Sequence, residues 1–422
     1  MKLKRVVALA LAGVMVFSLG ACGGGGNEGG GESGGGGGDL SVMIWDTYQE
    51  AGLKEILADF TEETGIGAEI QVVPWNEYWT LLEAGAQGGD MPDVFWMHSN
   101  ESERYMSNDM LLDLTDKIAE SDLVDMSKYP EDIKNLYTYE DKVYAVPKDV
   151  DTIALWYNKT MFDEAGIDVP TTMEEVVAAA KEVKDATGNY GFTFHSDYPW
   201  YIMALMYNSG TAPVVDGKPS MNTEPVKQIF QWVSQMANVD ESMPRNQHAT
   251  AQEDFCNGNI GMLMTSCASY AQVEKLVDGK FEIGLAMFPE VTTMDITMGG
   301  NGLGLFKTTP EKEKAAVMFV EFLLDDERLA QNCLNFGYIP VTNGATNTET
   351  YKEYLQDPNR QVVDDQLQYL GGAAVNPADS LVWGEVMSLV DSVEADANVD
   401  LDARLAEIDT KIEKYLNEYA GN

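Results

Sequence analysis

Residue types that could carry covalent chemistry are sparse in this chain, and those that could hold a solute are not. Its three histidines, His98, His195 and His248, are widely spaced and form no HExxH pair. No GxSxG nucleophile elbow and no GxxxxGK[ST] phosphate loop occurs, and Gly300-Asn301-Gly302-Leu303-Gly304 lacks the GxGxxG spacing. No metal-ligand spacing is present, so neither a metal nor a cofactor is expected. With 69 Asp and Glu some carboxylates must face each other, which leaves a cell-surface glycoside hydrolase open, although no pair stands out.

Tryptophans are more informative. Trp45, Trp75, Trp96, Trp200 and Trp383 fall near expected strand ends or loops, outside helical apolar stripes. A sugar ring has apolar C–H faces that stack on an indole, and its hydroxyls need carboxylates and amides at the rim; such a contact adds about 1 kcal/mol beyond area burial. Taken singly, each tryptophan is read as core before platform. Asp46, Asn100 and Asp151 beside them raise the case for a site, and His98, at a strand end, reads first as a structural histidine. The same aromatics with Asp46, Asp149 and Asp151 could also box an amine. A polyamine or another cationic solute is therefore an alternative.

The elements that must position these groups follow from periodicity. Residues 39–45 read as a buried strand, and Leu53, Ile56, Leu57 and Phe60 mark a helix ending near Gly65. Ala68, Ile70 and Val72 alternate as a strand closed by Pro74; Tyr78, Leu81 and Leu82 mark a helix; residues 93–97 form a third strand. This alternation predicts a parallel, doubly wound α/β sheet, with ligands beyond the carboxyl ends of its strands. Trp45 with Asp46, and Trp96 with His98 to Asn100, lie at such ends. A second α/β unit starts near Thr152: a strand over 153–157, then Thr172 with Glu175 as a capping box. Pro310 opens a later helix, and residues 401–419 form an amphipathic one.

The termini and composition bound the setting. Lys2, Lys4 and Arg5, an apolar run from Val6 to Leu19 and a small-residue site make residues 1–21 a secretory signal. Leu19-Gly20-Ala21-Cys22 resembles the lipobox of bacterial lipoproteins, whose cysteine is lipidated. Residues 22–38, almost all glycine after Cys22, form a flexible tether. The formal charge of -42 and the absence of a basic stripe exclude nucleic-acid binding; the acidity reads as a solvated surface before a cation site. Cys256, Cys267 and Cys333 form no CxxC, and a Cys256–Cys267 disulfide is conceivable but unsupported.

Several segments, in order, resemble the extracellular solute-binding proteins that feed ABC sugar importers. They are Thr61-Glu62-Glu63-Thr64-Gly65-Ile66 before Val72-Val73-Pro74-Trp75, Gly89-Asp90-Met91-Pro92-Asp93-Val94-Phe95-Trp96, Tyr144-Ala145-Val146-Pro147-Lys148-Asp149 with Asp151-Thr152 and Tyr157-Asn158-Lys159, Gly299-Gly300 with Gly302-Leu303-Gly304, and Gly337-Tyr338-Ile339-Pro340-Val341. The resemblance implies two α/β lobes joined by three hinge crossovers near 149–152, 298–300 and 341–344. Lobe 1 would comprise 40–150 with 300–342, and lobe 2 151–299 with 343–422. It implies a carbohydrate, mono- or oligosaccharide, held between the lobes by a monomer outside the membrane, and membrane permease subunits as partners. As ligand-binding residues it implies Trp45, Asp46, Trp96, Asn100, Asp151, Tyr198, Trp200, Gly300 and Trp383. Where relatives carry Gly-Ser-Trp after an apolar strand, this chain has Ser266-Cys267-Ala268-Ser269-Tyr270. Tyr270 would have to replace the stacking tryptophan there.

Overall fold

The computed structural model describes residues 39–420 except 48, 90, 108, 120, 122–123, 195–199, 294–295, 298 and 372–378. The expected signal and tether, with Cys22, lie outside the described residues, as does Tyr198. Strand β1 (Leu40–Ile44) is followed by α1 (Glu50–Thr64), β2 (Ala68–Val72), α2 (Trp75–Gly88) and β3 (Val94–His98). Helix α1 turns Leu53, Leu57 and Phe60 inward and stops at Gly65, whose φ of 73° suits a residue without a side chain. β1 pairs in parallel with both β2 and β3. The three strands thus send their carboxyl ends to one edge.

Strand β4 (Ala145–Asp151) leads through the single residue Thr152 into β5 (Ile153–Asn158). Then come α3 (Met173–Thr187), β6 (Tyr190–Phe194), α4 (Trp200–Asn208), β7 (Ile260–Ser266), α5 (Tyr270–Val277) and β8 (Ile283–Ala286). The expected capping box opens α3: the Thr172 hydroxyl accepts from Glu175 N at 3.2 Å, and the Glu175 carboxylate accepts from Thr172 N at 3.2 Å. β9 (Gly299–Leu305), α6 (Pro310–Leu323), α7 (Asp326–Leu334) and β10 (Ile339–Pro340) follow, with α8 (Asp379–Ala395) and α9 (Leu401–Ala420) near the end.

Two sheets result. The first runs β10-β4-β9-β3-β1-β2 and the second β8-β5-β7-β6. The first is mixed, because β9 joins β3 and β4 antiparallel, as β10 joins β4. β9 enters from the second unit with no helix between β8 and β9 among the described residues, so no βαβ crossover imposes the parallel direction on it. Leu40, Val42, Phe60, Phe319 and Phe322 belong to one core. Val176, Phe192, Ile229, Leu389 and Ile408 belong to another. Asp409 on α9 accepts from Met221 N and Asn222 N at 2.8 and 3.1 Å, fastening the last helix to the second unit.

The units meet at the crossovers. Thr152 is buried, and its carbonyl accepts from Cys267 N at 2.8 Å. Gly299 pairs with Asp151 in the ladder. At Gly337, φ is 101° and a Cβ would stand 2.5 Å from the Cys267 carbonyl oxygen, so only glycine lets this turn pass the second unit. The third crossing differs from expectation. Thr342 bonds Asp326 at 3.3 Å and Thr350 bonds Glu327, both on α7. Contact with the second sheet comes from Asn359, which accepts from Leu285 N at 3.0 Å and donates to the Ile283 carbonyl at 3.1 Å. The return therefore lies near 357–359, not 341–344, because residues 342–350 bond to the first unit's own helix.

All three described cysteines are buried free thiols, so Cys256 and Cys267 are not bridged.

Candidate functional site

The carboxyl ends of β1, β2 and β3 bring an aromatic group together. Trp45 follows β1, Trp75 follows Pro74 after β2, and His98 ends β3. Ring centroids lie 5.1 Å apart for Trp45–Trp75, 5.2 Å for Trp75–His98 and 5.9 Å for Trp45–His98, all edge to face. That geometry sets the positive edge of one ring on the negative face of the next. Trp79 and Tyr78 on α2 back the group, at 5.7 and 5.1 Å from Trp45. Tyr78 is itself fixed, its hydroxyl lying 3.0 Å from the carbonyl oxygens of both Met43 and Trp96. Trp45, Trp75 and His98 are half-buried, leaving ring surface available. Burial lowers the His98 pKa to about 4, so the imidazole is neutral at pH 7.

From the second unit comes Trp200, first residue of α4 and half-buried. The position a Cβ would take on Gly299 lies 3.2 Å from Cζ2 and 3.3 Å from Cη2 of Trp200, and 3.6 Å from Nε2 of His98. Aromatic groups of both units thus converge on the second crossover. Asp46 stands beside Trp45 and accepts from the Gln49 amide at 3.3 Å.

Several expected residues sit elsewhere. Trp96 is fully buried: its indole N–H donates to Gln49 Oε1 at 3.0 Å, and its ring lies under the Lys148 ammonium at 5.0 Å. Its ring is enclosed within the first unit, and Gln49, which accepts from it, donates in turn to Asp46. Asp151 is 8% exposed, with both oxygens occupied by Ser266 Oγ at 2.7 Å and Ala268 N at 3.3 Å. Burial pushes its carboxyl up to about 7 against the pull of those donors. Gly300 is buried inside β9, where a Cβ would crowd the Asp149 carbonyl at 3.1 Å. Tyr270 is buried too. Its hydroxyl donates to Asp357 at 2.8 Å, Arg360 lies over its ring at 4.9 Å, and Trp156 is 5.6 Å away. With ring and hydroxyl so engaged, Tyr270 does not replace the missing stacking tryptophan. Trp383, by contrast, keeps part of its indole exposed: it is half-buried in the second turn of α8, beside Val382 and Val386 of the second core. Asn100 lies in a short 3-10 turn after β3; its side chain is outside the described residues.

Behind the aromatics is a buried polar knot that sequence reading did not find. Lys148 and Asp149, consecutive on β4, form an ion pair with both side chains fully buried. Asn301 donates to Asp149 at 2.7 Å, and the Lys148 ammonium also lies 5.3 Å from the Tyr338 ring. Burial raises the Asp149 pKa, while Lys148 and Asn301 oppose the rise. The signal available was an Asp-x-Asp pair beside a lysine at an expected hinge. Among the described residues no group of three or more metal-ligating side chains converges.

Two α/β units joined by crossovers, with aromatic side chains of both meeting at one of them, define a protein that holds a small solute between lobes. The chain belongs to the bacterial extracellular solute-binding protein family, whose sequence pattern matches residues 55–359. It is similar to a multiple sugar-binding protein of Streptococcus mutans, 28% identical over 301 residues that make up 65% of this chain and 68% of that one. In fold it resembles the ABC substrate-binding protein Lmo0181 of Listeria monocytogenes in complex with cycloalternan (TM-score 0.81, 22% identical, 90% of this chain and 99% of that one). UgpB of Mycobacterium tuberculosis in complex with glycerophosphocholine is comparably alike (TM-score 0.82, 19% identical, 91% and 100%). The expected two-lobed fold is therefore observed, and the family acts outside the cytoplasm. No helix among the described residues is long and apolar enough to cross a membrane.

Proposed function

We propose that this protein captures a mono- or oligosaccharide between its lobes and delivers it to the permease of an ABC importer, as a monomer tethered by lipid on Cys22 to the outer face of the cell membrane. The carrying observation is the meeting of Trp45, Trp75 and the neutral His98 with Trp200 at Gly299. Indole faces suit the apolar faces of a sugar ring, and Asp46 suits its hydroxyls. The names of the Streptococcus relative and the cycloalternan-bound neighbour support the same class. On this reading lobe 1 comprises residues 40–151 with 299–355 and lobe 2 comprises 153–286 with 357–420, closing about Thr152 and its neighbouring crossovers. Tyr198 and Asn100 remain candidate contacts, and no catalytic step is involved.

A cationic solute is the second reading, supported by the glycerophosphocholine-bound neighbour, whose ligand carries a quaternary ammonium. It is weaker here, because the boxing carboxylates are mostly engaged. Asp149 is paired with Lys148, whose ammonium already occupies the space between Trp96 and Tyr338. Asp151 is bonded to Ser266 and Ala268. Asp46, beside Trp45, itself accepts from the Gln49 amide.

A thermal-shift screen with maltotriose, diacetylchitobiose, glycerophosphocholine and spermidine tests this. A saccharide at 100 Kd should stabilise the protein by about 2.7 kcal/mol. Stabilisation by glycerophosphocholine or spermidine alone overturns the carbohydrate reading, and release of smaller sugars from glycans overturns the non-enzymatic one.

A further inference from the structure

We propose that Gly299 sets the selectivity of the cleft, because the absence of a side chain there lets the Trp200 ring seat beside His98; the inference rests on reading this cleft as a carbohydrate site. Gly299 opens β9, pairs with Asp151 of β4 and is buried. As the first residue of β9, paired in the ladder with Asp151, it has the extended backbone of a strand. An alanine could therefore adopt its backbone. What excludes a side chain is space.

A Cβ at this position would stand 3.2 and 3.3 Å from two carbons of the Trp200 benzo edge. Carbon atoms rest at about 3.5–4.0 Å from one another, so the ring would have to give by a few tenths of an ångström. The same Cβ would make only an ordinary contact with His98 Nε2, at 3.6 Å. An added methyl therefore presses on Trp200 and spares His98. A ring pressed from the strand side moves away from the strand, which changes the surface it offers a solute. Gly300 differs: its Cβ would meet the Asp149 carbonyl at 3.1 Å, so a substitution there strains the ladder and says nothing of the solute. Gly299 is thus a positioning residue that fixes how far the second lobe's indole reaches over the bound ring.

The test uses the intact protein carrying 5-fluorotryptophan, with the Trp200 resonance assigned by its loss in Trp200→Phe. In Gly299→Ala the Trp200 signal should shift, while those of the core residues Trp156 and Trp232 stay in place. The Kd for maltotriose should weaken about tenfold, within the range overpacking produces, and the ratio of maltose to maltotriose affinity should change. In a Trp200→Leu background, which removes the crowded ring, Gly299→Ala should alter that Kd by less than about twofold, since the two substitutions are coupled. An unmoved Trp200 resonance, or the same loss of affinity in both backgrounds, overturns the proposal. A wild type that binds no saccharide refutes the carbohydrate reading instead, and the Trp200 resonance still decides whether Gly299 seats that ring.

Discussion

Replacing Asp151 with asparagine should stabilise the protein near pH 8 and leave it unchanged near pH 4. The Asp151 carboxyl is buried at the first crossover, accepts from Ser266 Oγ and Ala268 N, and feels the nearby Asp149; burial dominates and pushes it up to about 7. In the unfolded chain an aspartate ionises at about 3.9. Between about pH 4 and pH 7 the folded protein holds a proton that the unfolded chain has lost, so this residue's contribution is full below pH 4 and falls as pH rises. The slope reaches about 1.36 kcal/mol per pH unit, and over roughly three pH units the loss is on the order of 4 kcal/mol. Asparagine keeps the shape and one acceptor oxygen without the charge, so the variant lacks this loss. Urea unfolding followed by tryptophan fluorescence at several pH values would measure it, as the difference between variant and wild type, which cancels the other titrating groups. A difference that does not vary with pH, or a variant less stable than wild type near pH 8, refutes the reasoning.

Lys148→Met leaves Asp149 buried without its counter-ion and should cost about 3–5 kcal/mol in urea unfolding, while the Lys148→Met/Asp149→Leu pair recovers most of it. Trp75→Ala should weaken saccharide binding about 30-fold by calorimetry, the scale of a loss of about 2 kcal/mol at an aromatic anchor. Trp383→Ala should weaken the same binding by a similar factor with the ligand-free melting temperature nearly unchanged; intact affinity with early melting would assign Trp383 to the packing of α8. Cys22→Ser should move the protein from the membrane to the soluble fraction, and retention at the membrane would refute the lipid anchor.

Local pattern carried much of the architecture. Apolar spacing and punctuation by Gly65, Pro74 and Pro310 located α1, β2 and α6, because helix and strand periods and caps are written within a few residues. The capping box of Thr172 and Glu175 was legible for the same reason. Trp45 and Asp46 were found as candidates because strand ends of a parallel sheet face the binding edge. Trp75 drew attention as an aromatic after Pro74, but the pattern did not show that it packs on His98.

Tertiary structure decided the rest, because it turns on which face a side chain presents and on what arrives from far along the chain. Trp96 and Tyr270 looked like platforms by type and position, yet Gln49 and Lys148 enclose one and Asp357 with Arg360 the other. Asp149 and Asp151 are two residues apart and read alike, but one is neutralised by Lys148 and the other is held near its titration point by burial. The seat of Trp200 depends on Gly299, 99 positions along the chain, and the 3.2 Å that would separate a Cβ there from the Trp200 ring is set by how β9 enters the first sheet. Sequence alone determined the elements and the class of protein; the packing of distant segments at the crossovers determined which of its aromatic and acidic residues are enclosed and which keep surface exposed.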